Sequence, residues 1–346
     1  MNIAVSNFLP NKVAVKTQMG HVVLDDTTRN AMVGKLTGLS NPYTQPRHFA
    51  AEIRTSLSVI GANAMMDIHD FATAPDSPAV MLIENLPTDP HLPPTPLDGV
   101  LTHTARSYVG EAVTYGLGKL IGEPIGYTTE KDGDILHNLI PAQGAETMQS
   151  NRGSKVFLNF HNDSVYDESG WFHTYNADFL VLYGHRSDPK RQAETIYIDA
   201  KTICAVLSDE DVELLRQPLF QMAAPSNFTV LLNNGEKIWS RLGGVISGPD
   251  NAPEITVAAN GTRGTTPQAE EALQRLKAIC DLPEHSVSVR ISAGQALLIN
   301  NRKGIHARST FEPTFGPDER WLLRANIRRD TWAMRQRKTD MWNVYV

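Results

Sequence analysis

The chain has 346 residues, 41% of them apolar and 20% charged, and a formal charge of −6. That balance gives no electrostatic pull toward nucleic acid or an anionic membrane, and no apolar run reaches the roughly 18 residues that would span a bilayer. Only Cys204 and Cys280 are present, without C-x-x-C spacing, so neither a disulfide framework nor a zinc or redox motif is indicated and a reducing cytoplasm is the expected setting. The late basic residues Arg324, Arg328, Arg329, Arg335, Arg337 and Lys338 read as internally paired or solvated rather than as a nucleic-acid surface.

Two helices are predicted early in the chain. Phe49, Ile53, Leu57 and Ile60 recur at helical spacing over Arg47 to about Asp67, and Ala105, Val109, Ala112 and Leu117 over His103 to about Ile121. Between them "LPTDPHLPPTPLDG" is rich in proline, which removes backbone donors and favours extended conformations, so it reads as an ordered crossing segment. Beyond residue 125 the texture changes to short extended runs: "ILHNLI", "KVFLNFH", "DFLVLYG", "ETIYIDA", "FTVLLN", "HSVSVRI", "QALLINN" and "RWLLRANIRR". These predict a mainly β, mostly antiparallel barrel or sandwich. Two helices interrupt it, Asp209 to Arg216 capped by Ser208, and Pro267 to about Ile279 with Thr266 at the N-cap. The expected organisation is one domain over 1–346, with a mostly helical portion over 1–125 packed on a β core over 126–346.

Gly116-x-Gly118-x-x-x-Gly122 superficially resembles a dinucleotide loop, but it lies in a predicted helix, whereas a phosphate loop must follow a strand and open a helix. His161-Asn162-Asp163 ends a strand-like run, and side chains two apart on a strand share a side, so an imidazole and a carboxylate could meet one metal ion. With 11 histidines and 38 acidic residues such a triplet arises by chance, and it gains meaning only with partners. Downstream, "ALLIN" leads through a turn to His306, and Arg320 and Arg324 follow on what reads as one strand face. Two nitrogens and one carboxylate would leave metal positions open for a bidentate 2-oxo acid and dioxygen, with an arginine fork for its distal carboxylate. His137 and His185 read as satisfied structural histidines, and His173 as a loop residue without a metal role. A zinc hydrolase and a non-catalytic β-barrel that binds a metal or small ligand remain alternatives at this point.

The blocks "ENLPTDPHLPPTP", "GEPIGYTTEKDGDILHNLIP", "GSKVFLNFHND", "ADFLVLYGHRSD", "ETIYIDA" and "GQALLINNRKGIHARSTFEPTFGPDERWLLR" occur in one order between about residues 80 and 330. In these blocks the chain resembles the iron(II)- and 2-oxoglutarate-dependent dioxygenases of the clavaminate synthase-like group, relatives of taurine dioxygenase. The resemblance implies a double-stranded β-helix, the jelly roll of the cupins, with helical decorations. It also implies Fe(II) bound by His161, Asp163 and His306, and 2-oxoglutarate with its distal carboxylate at Thr195 and Arg320. Arg324 matches an arginine that meets a substrate carboxylate, and Asn151 stands where several relatives place a substrate-touching serine. With dioxygen, these parts imply oxidation, by default hydroxylation, of a free amino acid or amino-acid-derived metabolite, as in antibiotic biosynthesis; desaturation and oxidative cyclisation use the same oxidant.

Three departures from the family pattern matter. The amino-acid-processing relatives carry H-x-E where this chain has Asp163. A short insertion falls within "SVYDESGWFHTYN", and "VAANGTRGTTP" offers no acidic residue at Ala258, Ala259 or Asn260, which disfavours free arginine as substrate.

Overall fold

In the computed structural model, which describes residues 15–56, 59–96, 107–148, 150, 152–163, 175–224, 238–258 and 261–346, strand β1 (Met19–Val23) precedes helix α1 (Asp26–Leu36). Asp25 starts that helix by accepting the Thr28 N–H at 2.8 Å. The single early helix expected from the periodicity is two, α2 (Pro46–Ser56) and α3 (Ala62–Thr73). Gly61, at φ +88°, occupies the left-handed region immediately before α3, a conformation that ends a right-handed helix. Strand β2 (Val80–Glu84) and the proline-rich crossing follow. Arg186 holds the crossing in place by donating to Thr95 Oγ1 and the Pro93 carbonyl. Helix α4 (Val109–Ile121) starts later than the pattern indicated, because Asp89 accepts the free N–H groups of Val109 and Gly110 at 3.0 and 2.9 Å.

The β-rich part then runs through β3 (Glu123–Tyr127), β4 (Leu136–Leu139), β5 (Leu158–His161), β6 (Phe179–Arg186) and β7 (Thr195–Asp199). Helices α5 (Ala200–Val206) and α6 (Asp209–Arg216) are capped by Asp199 and Ser208. Short strands β8 (Phe220–Met222), β9 (Ile246–Ser247), β10 (Glu254–Ile255) and β11 (Thr262–Gly264) lead to α7 (Pro267–Cys280), where Thr266 caps and proline opens the helix as the sequence indicated. The chain closes with β12 (Val287–Val289), β13 (Ala296–Asn300), β14 (Gly304–Arg308), β15 (Trp321–Arg328) and β16 (Val344–Tyr345). The run "FTVLLN" and His173 lie outside the described residues.

The larger sheet has the order β1-β2-β13-β6-β15-β3-β16, with β4 also paired to β15, and the smaller has the order β12-β7-β14-β5. The architecture is mainly β sheet with helices. Alternation along the strands sorts the side chains into layers. Leu180, Leu182, Leu297, Ile299 and Leu322 of the larger sheet meet Tyr197 and Val289 of the smaller in one apolar cluster. On the opposite face of the larger sheet, Phe179, Val181, Tyr183, Leu323 and Ile327 pack under α1 to α4. Phe160, Ile198, Ile305 and Ala307, on the outer face of the smaller sheet, pack under α5 to α7. Among the described residues no helix is long and apolar enough to cross a membrane.

Gly116 and Gly118 lie inside α4 and Gly122 ends it, so they form no phosphate loop. Gly110 serves packing instead: a Cβ there would fall 2.2 Å from His185 Cε1. His185 is not the satisfied histidine expected. It is fully buried between Asp89 (3.7 Å from Nδ1) and Glu111 (3.4 Å from Nε2), and neither ring nitrogen makes a hydrogen bond. A methyl group has no room against this ring. Gly110→Ala should therefore cost about 1–3 kcal/mol of stability, measured by urea unfolding against wild type.

Candidate functional site

His161 and His306 are direct cross-strand partners of β5 and β14, with ring centroids 4.4 Å apart. Asp163 is not on the strand, as its spacing had suggested, but in the turn just past its end. Its Oδ1 stands 3.4 Å from His161 Nε2 and 3.8 Å from His306 Nε2. One ligand atom from each of the three residues lies within 4.8 Å of the others. His161 Nδ1 donates to the Asn159 carbonyl at 2.7 Å, which leaves Nε2 as the lone-pair nitrogen facing the cluster.

The electrostatics suit cation binding. Burial lowers the His306 pKa to about 3, with His161 adding to the effect, so the imidazole is neutral and able to ligate. Burial by itself would raise the Asp163 carboxyl. The Arg324 guanidinium outweighs it and holds the group well below the usual carboxylate range. Arg324 Nη1 meets Asp163 Oδ2 at 2.6 Å, while Nη2 meets Glu130 Oε2 at 2.7 Å and His137 Nδ1 at 2.8 Å.

Glu130 and His137 were not read as site residues from the sequence. Their signal was weak because β4 pairs with β15 at His137↔Arg324, and that register is a tertiary fact. His137 also bonds the Asp134 carbonyl at 2.8 Å, and burial, with Arg324 beside it, lowers its pKa to about 4.

Arg320 lies immediately before β15 rather than on it. Its side chain is buried, and among the described residues its guanidinium forms no hydrogen bond or close ion pair; only its backbone N–H is tied, to Glu319. Arg308 and Arg320 each stand 5.5 Å from the centre of the Phe311 ring. Burial lowers the Arg320 pKa to about 10, with Arg308 contributing. Thr195, also buried, pairs with Arg308 across β7 and β14. Asn151 lies outside the described residues.

A second group, Asp89, Glu111 and His185, also gathers three possible ligands. Its carboxylates flank opposite ring nitrogens and Asp89 is committed to the α4 N–H groups, so the donors do not converge on one ion.

Comparison with known proteins gives concordant results. The family model described as Taurine catabolism dioxygenase TauD, TfdA family matches residues 109–326. L-asparagine oxygenase of Streptomyces coelicolor is 30% identical over 271 residues, 78% of this chain and 77% of that protein. L-lysine 3-hydroxylase of Catenulispora acidiphila is 26% identical over 301 residues, 86% of this chain and 80% of that protein. The crystal structure of asparagine oxygenase in complex with Fe(II), 2S,3S-3-hydroxyasparagine and succinate superimposes with a TM-score of 0.81 at 26% identity, covering 94% of this chain and 98% of that one.

Arg324→Met should leave Asp163 and Glu130 without their cation and cost about 3–5 kcal/mol in the metal-free protein. The pH response distinguishes this from simple loss of packing. In wild type the depressed Asp163 pKa contributes stability above the unfolded value, about 3.9, and the contribution is lost as pH falls toward the folded value. In the variant burial alone acts and reverses that sign. Urea unfolding at several pH values between about 3 and 6 should show the acid-side gain with rising pH in wild type only.

Proposed function

Because the chain belongs to the TauD, TfdA dioxygenase family, we propose that it is an Fe(II)- and 2-oxoglutarate-dependent oxygenase that hydroxylates an unactivated C–H bond of a free amino acid. The observation that carries the reading is the convergence of His161, Asp163 and His306 on one point; Arg320 adds a buried guanidinium with no hydrogen-bonded anion among the described residues. Two imidazole nitrogens and one carboxylate oxygen are a suitable donor set for Fe(II) and leave positions for a chelating 2-oxo acid and dioxygen. When bound, iron and 2-oxoglutarate supply dioxygen activation, with succinate and carbon dioxide as co-products.

This chain's own residues supply orientation and charge balance. His161, Asp163 and His306 hold the iron, and Arg320 with Thr195 binds the distal carboxylate of 2-oxoglutarate. Arg324 and Glu130 stand side by side as a cation and an anion, complementary to the carboxylate and ammonium of an amino acid zwitterion. Asn151 is assigned to the substrate side of the pocket by resemblance alone. Ala258 carries no charge for a guanidinium, which favours a substrate other than arginine. The two sheets form a double-stranded β-helix, and the chain acts as one domain in the cytoplasm. Hydroxylases of free amino acids suit pathways that build specialised metabolites, antibiotics among them.

Anaerobic titration of the Fe(II) protein with 2-oxoglutarate should develop a metal-to-ligand charge-transfer band in the visible. Arg320→Met should raise the 2-oxoglutarate concentration needed by about 10-fold or more, as expected for a lost charge-assisted pair. Asp163→Ala should abolish succinate release across a panel of amino acids. Absence of the band in wild type, or turnover surviving in Asp163→Ala, would refute the assignment.

A further inference from the structure

The backbone ladder that brings the two histidines together is short. Strands β5 and β14 pair at His306↔His161 and at Arg308↔Leu158, with an irregularity between the two pairs. Asp163 lies beyond its end, so regular sheet pairing does not fix the carboxylate relative to the imidazoles. Two buried asparagines occupy this gap. Asn301, in the turn between β13 and β14, accepts the Asp163 N–H on Oδ1 at 2.9 Å. Its Nδ2 donates to the Asp163 carbonyl at 3.1 Å and to the Ala177 carbonyl at 2.9 Å. In return Asn162, between the two ligands, donates from Nδ2 to the Asn301 carbonyl at 2.7 Å and to the Gly304 carbonyl at 3.0 Å, and accepts the Val257 N–H at 2.8 Å.

We propose that Asn301, with Asn162, is a positioning residue that sets the spacing of His161, Asp163 and His306 before a metal binds. The inference rests on the metal-site reading above. The chemistry requires an amide at 301: one side chain must accept from an N–H and donate to two carbonyls, which neither a carboxylate nor a hydroxyl can do. Asn301 holds the chain both where it leaves the site, at Asp163, and where it returns, at Ala177. It also donates its own N–H to the Asp178 carbonyl at 2.9 Å, so the turn before His306 and the segment carrying Asp163 share one anchor. Neither asparagine offers a ligand atom to the metal, and removing either should act through ligand placement.

The experiment uses the full metal-free chain titrated with Co(II), followed by its visible d–d bands, with the melting temperature of each apo protein measured in parallel. Asn301→Ala and Asn301→Asp should bind Co(II) about 10- to 100-fold more weakly than wild type, the range for lost outer-sphere support of a metal site. Asn300→Ala is the control. Its Oδ1 accepts the Arg302 and Lys303 N–H groups in the same turn without touching Asp163, so its affinity should stay within about threefold of wild type. If Asn301→Ala does not fold, Asn162→Ala is judged by the same criterion. Asn301→Ala that melts cooperatively and binds Co(II) as wild type does, or an equal loss in Asn300→Ala, would overturn the proposal. Asp163→Ala tests the underlying reading separately: undiminished Co(II) binding there would remove the metal site itself, whatever Asn301 does.

Discussion

Burying a carboxylate beside two imidazoles is unfavourable unless a cation stands against it, and Arg324 meets Asp163 Oδ2 at 2.6 Å. The rest of the site is arranged around that contact. Arg324 is carried by β15, which pairs with both β6 and β4, and so is fixed from two sides. Its second nitrogen is shared by Glu130 and His137, so one guanidinium faces two carboxylates and a neutral imidazole. The His306 imidazole stays neutral because burial disfavours its protonation. The result is a small acceptor set facing a common point, the electrostatic condition for divalent metal binding.

The layering of the fold explains how such polar residues survive inside it. Helices cover both outer faces of the paired sheets, so strands such as β6 are apolar on both sides. Several polar side chains that enter this interior are held by specific partners. Arg302 and Asp178 pair at 2.7 Å, and Arg328 donates to the Asn176 carbonyl at 2.6 Å. This network ties Asn176 and Asp178, on either side of Ala177, to β15 and to the turn after β13. It also gives two members of the late basic cluster the internal partners their composition suggested: Arg328 here and Arg324 at Asp163.

The two arginines near the start of β15 differ in a functionally telling way. Arg324 is paired with two carboxylates, Asp163 and Glu130. Arg320, buried beside Phe311 and near Arg308, has no comparable anion. A buried guanidinium without a counter-ion is electrostatically suited to accept an anion, whereas an already paired one must first give up a partner.

By itself the sequence determined most of the strand texture after residue 125 and the caps at Ser208 and Thr266, and it singled out His161, Asp163, His306, Thr195, Arg320 and Arg324 as candidate site residues. Local alternation, capping chemistry and ordered motif blocks all act over a few residues and are readable there. The break of the early helix at Gly61 was missed because hydrophobic periodicity continues on both sides of it. Glu130, His137, Asn162 and Asn301 gained their parts only from tertiary structure. Their partners lie across β4–β15 or β5–β14, and a hydrogen bond between residues more than a hundred positions apart depends on strand register. No local pattern in the chain encodes that register, which the packing of the two sheets and their covering helices decides.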